Sequence, residues 1–255
     1  MTPRYVALGS SMAAGPGIAP PARGAPKRSG RSAVNYPHLV AARLGYHLVD
    51  VTFSGATTAH VLRERQFGVP PQIEALDGTE DLVTVTIGGN DAGYVPMLLA
   101  ACLPRLLRSV PLLGGVLRGQ LDPAVRERAL DAVGESLKTV GHELRSRAPR
   151  ARVLFVDYLT LLPPAGMAAP PICDADADLG RHIAARLADL TATAAADTGC
   201  ELVPAAAAGA EHHAWSAEPW TTGFHLPLPG RVAPLHPNAA GMRAVAALVV
   251  EALRP

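Results

Sequence analysis

Short runs of apolar and β-branched residues alternate along the chain with longer segments whose apolar residues recur every three or four positions. A short apolar run bounded by turn-forming residues predicts a buried strand. Runs of this kind lie at residues 5–8, 48–52, 82–87 and 152–156, with a weaker one at 201–203. Together they predict a sheet of five strands.

Helical periodicity is clearest in the two long segments on either side of the fourth predicted strand. One stripe consists of Leu130, Val133, Leu137, Val140 and Leu144, and the other of Leu179, Ile183, Leu187 and Leu190. A last helix is predicted from about residue 238 to residue 253, with Pro237 at its entry. Alternating strands and helices predict one α/β domain, in which helices cover both faces of a mostly parallel sheet.

Three segments interrupt this alternation, at residues 16–35, 95–121 and 204–235. Segment 95–121 is rich in leucine and is broken by proline and glycine, which suits either a helix of the core or the wall or lid of an acyl-chain pocket. A role at a membrane surface is the third interpretation, because its three arginines form only a weak basic face. Segment 204–235 is expected to be a long active-site loop, since loops of this length are usually functional.

Composition and charge argue against several classes of function. The 255 residues carry a formal net charge of +1, which gives no electrostatic basis for binding nucleic acid or an anionic membrane. No apolar run reaches the roughly 20 residues of a transmembrane helix, so stable membrane insertion is not expected. The N-terminus lacks the apolar core of a secretory signal, and the three cysteines are widely spaced. We therefore expect a cytoplasmic protein without a disulfide framework. Secretion of a trimmed form and the oligomeric state are left open.

Small polar clusters follow the first three predicted strands. They are Gly-Ser-Ser at 9–11, Phe-Ser-Gly-Ala-Thr at 53–57 and Gly-Gly-Asn-Asp at 88–91, and Leu-His-Pro-Asn at 235–238 precedes the last helix. Taken singly, each cluster is more often an ordinary turn. In a parallel sheet, however, all of them converge on the carboxyl edge. A hydroxyl, an imidazole and amide donors meeting there are the groups that acyl transfer needs.

These four clusters, in this order, resemble the blocks of the SGNH hydrolase (GDSL esterase/lipase) family, and the resemblance runs from Tyr5 to the last helix. It implies a flavodoxin-like α/β/α domain spanning residues 1–255. It also implies that Ser11 is the nucleophile and His236 the general base. The N–H groups of Ser11 and Gly55 and the side-chain amide of Asn90 would form the oxyanion hole.

Two positions depart from the family pattern. The aspartate that precedes the nucleophile in the family is Ser10 here, which we expect to hydrogen-bond locally in a turn or to cap a helix. The aspartate that orients the histidine is replaced by Ala233. We expect the backbone carbonyl of Ala233 or of a near neighbour to take over this role, with Glu218 and Asp157 as weaker candidates.

The resemblance implies a serine esterase or lipase that works through an acyl-enzyme. The apolar segment at 95–121 favours medium or long acyl chains. Two alternatives remain open: an acyltransferase that uses the same site on the alcohol of a metabolite, and an inactive binding module. The resemblance implies no metal or organic cofactor. The adjacent His212 and His213 do not suggest a metal site, because neighbouring side chains diverge and only Glu211 and Glu218 lie at ligand spacing.

Overall fold

The computed structural model describes residues 2–226, 228 and 230–254, so Pro227 and Pro229 of the predicted active-site loop lie outside the described residues. Its strands are β1 (Arg4–Gly9), β2 (His47–Asp50), β3 (Leu82–Thr86), β4 (Arg152–Val156) and β5 (Glu201–Val203). All pair in parallel, in the order β2-β1-β3-β4-β5. This confirms the predicted five-stranded α/β fold.

The second strand ends two residues earlier than predicted. Beyond Asp50 the chain turns, because the Asp50 carboxylate accepts hydrogen bonds from both the N–H and the hydroxyl of Thr52. Main-chain bonds to β1 nevertheless continue, from Val51 N–H to the Ala7 carbonyl and from Phe53 N–H to the Gly9 carbonyl. These bonds hold the second polar cluster beside the end of β1.

Helices cover both faces of the sheet. They are α1 (Ser11–Ala14), α2 (Tyr36–Leu44), α3 (Thr58–Leu62), α4 (Tyr94–Cys102), α5 (Leu113–Gln120), α6 (Pro123–Arg147), α7 (Asp174–Asp197), α8 (Ala205–Ala208) and α9 (Ala239–Ala252). The two periodic segments of the sequence are α6 and α7, and α9 begins directly after its cap, Asn238.

Successive strand residues point to opposite faces of a sheet, and each face here has its own core. Val6 and Leu8 pack with α4, α6 and α7, whereas Tyr5 and Ala7 pack with α2 and α9. The layers are therefore α/β/α, and the strands are buried on both sides as parallel strands usually are.

Segment 95–121 divides into two parts with different surroundings. Helix α4 belongs to the core, with Met97 and Leu98 fully buried. The part that follows exposes a group of apolar side chains, namely Leu106, Val110, Leu112, Leu113 and Val116. The interpretation as a helix of the core therefore holds for α4, and the role of the exposed part as the wall or lid of an acyl-chain pocket stays a prediction. Within the described ranges, no helix has the length and hydropathy needed to span a membrane.

Candidate active site

Ser11 and His236 are brought together across 225 positions of sequence. Ser11 is the first residue of α1, directly after β1, and His236 stands two residues before the cap of α9. The Oγ atom of Ser11 lies 2.8 Å from Nε2 of His236. This is the hydrogen-bond reach that a nucleophile and its base require.

The imidazole is oriented by a backbone carbonyl. Nδ1 of His236 lies 2.7 Å from the carbonyl oxygen of Pro234, so the proton belongs on Nδ1 and Nε2 is free to accept from Ser11. The residue named first from the sequence, Ala233, is the wrong one by a single position. Its carbonyl instead accepts a hydrogen bond of 2.8 Å from Oγ1 of Thr222.

Leu235 explains why Pro234 fills this role. Leu235 is fully buried and has a φ of 59°, in the left-handed region that residues with a side chain seldom adopt. This turn brings the carbonyl of residue 234 back towards the side chain of residue 236. Strained backbone of this kind persists only where its surroundings fix it, and it is common at active sites.

Among the described residues, neither of the two carboxylates suggested as alternative partners hydrogen-bonds to His236, because Nδ1 of His236 faces the Pro234 carbonyl. Oδ1 of Asp157 accepts a bond of 2.8 Å from the N–H of Ala206 at the start of α8. Burial raises the pKa of Asp157 to about 6, although the N–H groups of Ala206 and Ala205 oppose the shift. The carbonyl of Glu218 lies 2.8 Å from Nδ1 of His212. These two predictions are therefore wrong.

Desolvation also shifts the pKa of His236. The protein around the imidazole lowers the pKa of His236 below its ordinary value of 6.5, and the hydrogen bond to the Pro234 carbonyl opposes part of this shift. The charged imidazolium is disfavoured because it loses solvation. The lowered pKa favours the neutral imidazole, which is the form that can accept a proton.

The three predicted oxyanion-hole residues lie on neighbouring loops at the same edge. The side-chain amide of Asn90 donates to the Ala56 carbonyl at 2.8 Å, which places it beside Gly55 and leaves its second hydrogen for a substrate. Gly55 is exposed and has a φ of 78°, which glycine adopts freely. Among the described residues, neither Ser11 N–H nor Gly55 N–H donates to another group.

The loops that carry these donors are tied to one another. Thr58 donates from its N–H and its hydroxyl to the carboxylate of Asp91, which joins the second cluster to the third. Ser10 does not make the local bond expected of it. It precedes α1 without capping the helix with its side chain, and its Oγ lies 3.1 Å from the hydroxyl of Tyr158.

Two residues of the site were missed in the sequence. Thr222 is bonded to the segment that carries His236, and Tyr158 is bonded to the loops of Ser10 and Gly89. Neither lies in a recognisable motif, and no local pattern predicts such long-range bonds.

The histidine pair at 212 and 213 is occupied by other contacts. His212 stacks on Trp220 with ring centres 4.0 Å apart. Over the described parts of the chain, no group of three or more His, Cys, Asp or Glu side chains is placed to hold a metal ion.

A serine–imidazole pair with amide donors at the carboxyl edge of a parallel sheet has the groups that ester hydrolysis needs. Comparisons with known proteins show that the chain is a carboxylic ester hydrolase. The model of the GDSL-like lipase/acylhydrolase family matches residues 7–244. The chain belongs to this family.

Individual relatives agree. Lipase 2 of Streptomyces coelicolor is 35% identical, over 98% of this chain and 85% of the relative. An extracellular lipase from Streptomyces rimosus has a solved structure that superposes with a TM-score of 0.82 at 26% identity, over 98% of this chain and 100% of that one. Phospholipase A1 from Streptomyces albidoflavus NA297 shares the fold, with a TM-score of 0.83 at 24% identity over the whole of both chains.

Proposed function

We propose that this ester hydrolase works through a covalent acyl-enzyme formed on Ser11, with His236 as general base. The observation that carries the proposal is the 2.8 Å separation of Ser11 Oγ and His236 Nε2. Oγ attacks the ester carbonyl while Nε2 takes its proton. The imidazolium then gives this proton to the departing alcohol, and water activated by the same nitrogen releases the acid.

The oxyanion of the tetrahedral intermediate would be held by Ser11 N–H, Gly55 N–H and the free hydrogen of the Asn90 amide. The Ser11 and Gly55 donors are unengaged among the described residues, so the oxyanion gains bonds without breaking any there. Removing one donor from such a site typically costs about 2.7–4 kcal/mol in the transition state. We therefore assign most of the rate enhancement to these donors.

The Pro234 carbonyl takes the place of an orienting carboxylate. It fixes the tautomer of His236, as a carboxylate would, but contributes a dipole instead of a full charge. The imidazolium is thus stabilised less, and the acyl-transfer step relies more on the oxyanion donors. This assignment supports a working Ser–His dyad, rather than the inactive module suggested by the missing aspartate.

A fluorophosphonate probe tests the nucleophile. Wild-type protein should form a stoichiometric adduct on the peptide that contains Ser11, and Ser11→Ala should remove both the adduct and ester hydrolysis. Ser54→Ala is the matched control, because its hydroxyl lies on the neighbouring loop and bonds to the Ser29 carbonyl. An adduct that persists in Ser11→Ala, or hydrolysis without any adduct on wild-type protein, contradicts the proposal.

We further propose medium or long acyl chains. An apolar cavity of about 300 Å³ lies between the loop after β4 and helix α7, where Tyr158, Leu162 and Ala184 line it. Its size and apolar walls suit an alkyl chain. Tyr158 in turn is bonded to Ser10, next to the nucleophile. The chain of the substrate would enter this cavity beside the oxyanion loop.

A panel of p-nitrophenyl esters from acetate to palmitate tests the chain preference. We expect octanoate or longer esters to exceed acetate in kcat/KM by tenfold or more. Burying one or two extra methylenes of the acyl chain is enough to give a ratio of about this size. Ala184→Phe should reduce the preference, whereas Ala196→Phe, at an exposed position in the last turn of the same helix, should leave it unchanged. A preference for acetate contradicts the proposal, and an unchanged profile in Ala184→Phe contradicts the cavity assignment.

The cytoplasmic location expected from the sequence stays a proposal. Cys102, Cys173 and Cys200 are free thiols, which suits a reducing compartment.

A further inference from the structure

Ser10, the residue before the nucleophile, has an unusual bonding pattern for its position. It occupies the N-cap of α1, where a serine side chain normally accepts from the first turn of the helix. Its Oγ makes no such bond and lies 3.1 Å from the Tyr158 hydroxyl, 148 positions away in sequence. Ser10 is 1% exposed, so this hydroxyl is committed to a buried partner.

Tyr158 has a second partner on the loop of the oxyanion amide. The N–H of Gly89, directly before Asn90, donates to the Tyr158 hydroxyl oxygen at 2.9 Å. The tyrosine ring is packed so closely here that a Cβ on Gly89 would stand 2.7 Å from Cε1 of Tyr158. Glycine is therefore required at position 89 as long as Tyr158 stays in place.

The protonation state of the tyrosine fits both bonds. Burial raises the pKa of Tyr158 to about 12, so the hydroxyl keeps its hydrogen near neutral pH. Its oxygen accepts from Gly89, which leaves its hydrogen for Ser10 Oγ. One side chain thus bridges the loop after β1 and the loop after β3.

We propose that Tyr158 is a positioning residue for the oxyanion hole, which fixes the Ser11 N–H relative to the Asn90 amide through its bonds to Ser10 and Gly89. The inference rests on the proposed function. Ser10 stands where the family pattern has an aspartate, and the Tyr158 hydroxyl is the buried partner of its side chain.

The bridge matters because oxyanion donors act only when they are held at the correct distance. Full loss of a donor lowers kcat by about 10²–10³ in related chemistry. Loosening two donors without removing either should cost less, and we expect kcat of Tyr158→Phe to fall by about 10- to 50-fold. KM should change by less than about threefold, because the ring and its packing remain.

The test compares variants that each lose one buried hydroxyl. Tyr5→Phe is the matched control for Tyr158→Phe, because the Tyr5 hydroxyl is also buried and bonds to Thr84 Oγ1 at 2.7 Å, within the sheet. kcat and KM are measured on a soluble p-nitrophenyl ester, at a temperature well below the Tm of every variant. We expect a fall in kcat for Tyr158→Phe and a change of less than twofold for Tyr5→Phe.

A double-mutant cycle tests the coupling. Ser10→Ala alone should lower kcat by about 3- to 10-fold. The kcat of the double variant Ser10→Ala/Tyr158→Phe should lie within twofold of that of Tyr158→Phe. Ser10→Ala also carries the test if Tyr158→Phe does not fold. Any one of three results overturns the inference: full activity in Ser10→Ala, additive effects in the cycle, or a rise in KM in place of a fall in kcat. An inactive wild-type protein would instead overturn the proposed function.

Discussion

Thr222 and His236 are joined by reciprocal hydrogen bonds on neighbouring segments of backbone. The N–H of Thr222 donates to the His236 carbonyl at 2.9 Å, and the N–H of His236 donates to Thr222 Oγ1 at 3.2 Å. The same hydroxyl donates to the Ala233 carbonyl at 2.8 Å. Thr222 therefore fixes both ends of the segment whose middle, at Leu235, is held in a strained conformation.

Removing the Thr222 hydroxyl should loosen this segment without emptying the space it fills. We expect Thr222→Val to lower kcat by about 5- to 20-fold with little change in KM, because His236 is less well held against Ser11. The control is Thr198→Val, since Thr198 Oγ1 makes a similar bond of 2.7 Å to the Ala194 carbonyl at the far end of α7. Equal kinetics in the two variants would show that Thr222 does not position the histidine.

Local rules in the sequence predict that the polar clusters meet at one edge of the sheet, while the roles of their residues come from the resemblance to the family. Ser11 and Asn90 follow buried strands, and a parallel sheet brings such positions to one edge. The carbonyl partner of His236 was misplaced by one residue because it depends on the left-handed φ of Leu235, a conformation that leucine rarely adopts.

The bonding of Ser10 was wrongly predicted for a different reason. Local propensity favours a capping role for serine, but the packing of Tyr158 against Gly89 offers a buried partner that no local pattern reveals. Segment 95–121 likewise could not be divided from its composition, since buried and exposed leucines have the same sequence signature. Tertiary contacts decided each of these cases.

The pH dependence of hydrolysis should report the lowered pKa of His236. Only the neutral imidazole accepts the proton of Ser11, so kcat/KM falls as the pH drops through the pKa of the free enzyme. Because desolvation lowers that pKa, the midpoint of the acid limb should lie below 6.5. A pH profile measured from pH 4.5 to 9 on a neutral ester checks this, and a midpoint at or above 7 contradicts it.

Asp157 should make the protein less stable as the pH rises. Its pKa is about 6 in the folded protein and about 4 in an unfolded chain, so the folded state binds the proton more tightly. The stability linked to this proton is present below pH 4 and is lost as the pH rises through 6. The loss amounts to about 3 kcal/mol for two pKa units.

Asp157→Asn should remove this dependence while still offering an oxygen to the N–H of Ala206. Relative to wild type, the free energy of unfolding of the variant should increase by about 3 kcal/mol between pH 4 and pH 8. Urea unfolding of both proteins across this range measures the difference. A difference that stays constant with pH would mean that Asp157 is not the group responsible.

The exposed apolar side chains of segment 105–116 should assist attack on aggregated lipid esters. Arg108 pairs with Asp176 in the first turn of α7, and Arg126, in the first turn of α6, donates to the Ala92 carbonyl. Both helices start at the carboxyl edge of the sheet, so the segment lies on the same side as Ser11. Apolar side chains exposed close together in sequence favour contact with apolar material.

A triple variant, Leu106→Ser/Leu112→Ser/Val116→Ser, should therefore lose activity on dispersed long-chain esters by about 100-fold, since three apolar side chains that each contribute on the order of 1 kcal/mol together contribute about 3 kcal/mol. Activity on a soluble butyrate ester should change by less than twofold, because Ser11 and His236 are untouched. Met167→Ser removes an exposed apolar side chain outside this segment and serves as the control. Equal losses on both substrates would mean that the segment supports the fold instead of the encounter with lipid.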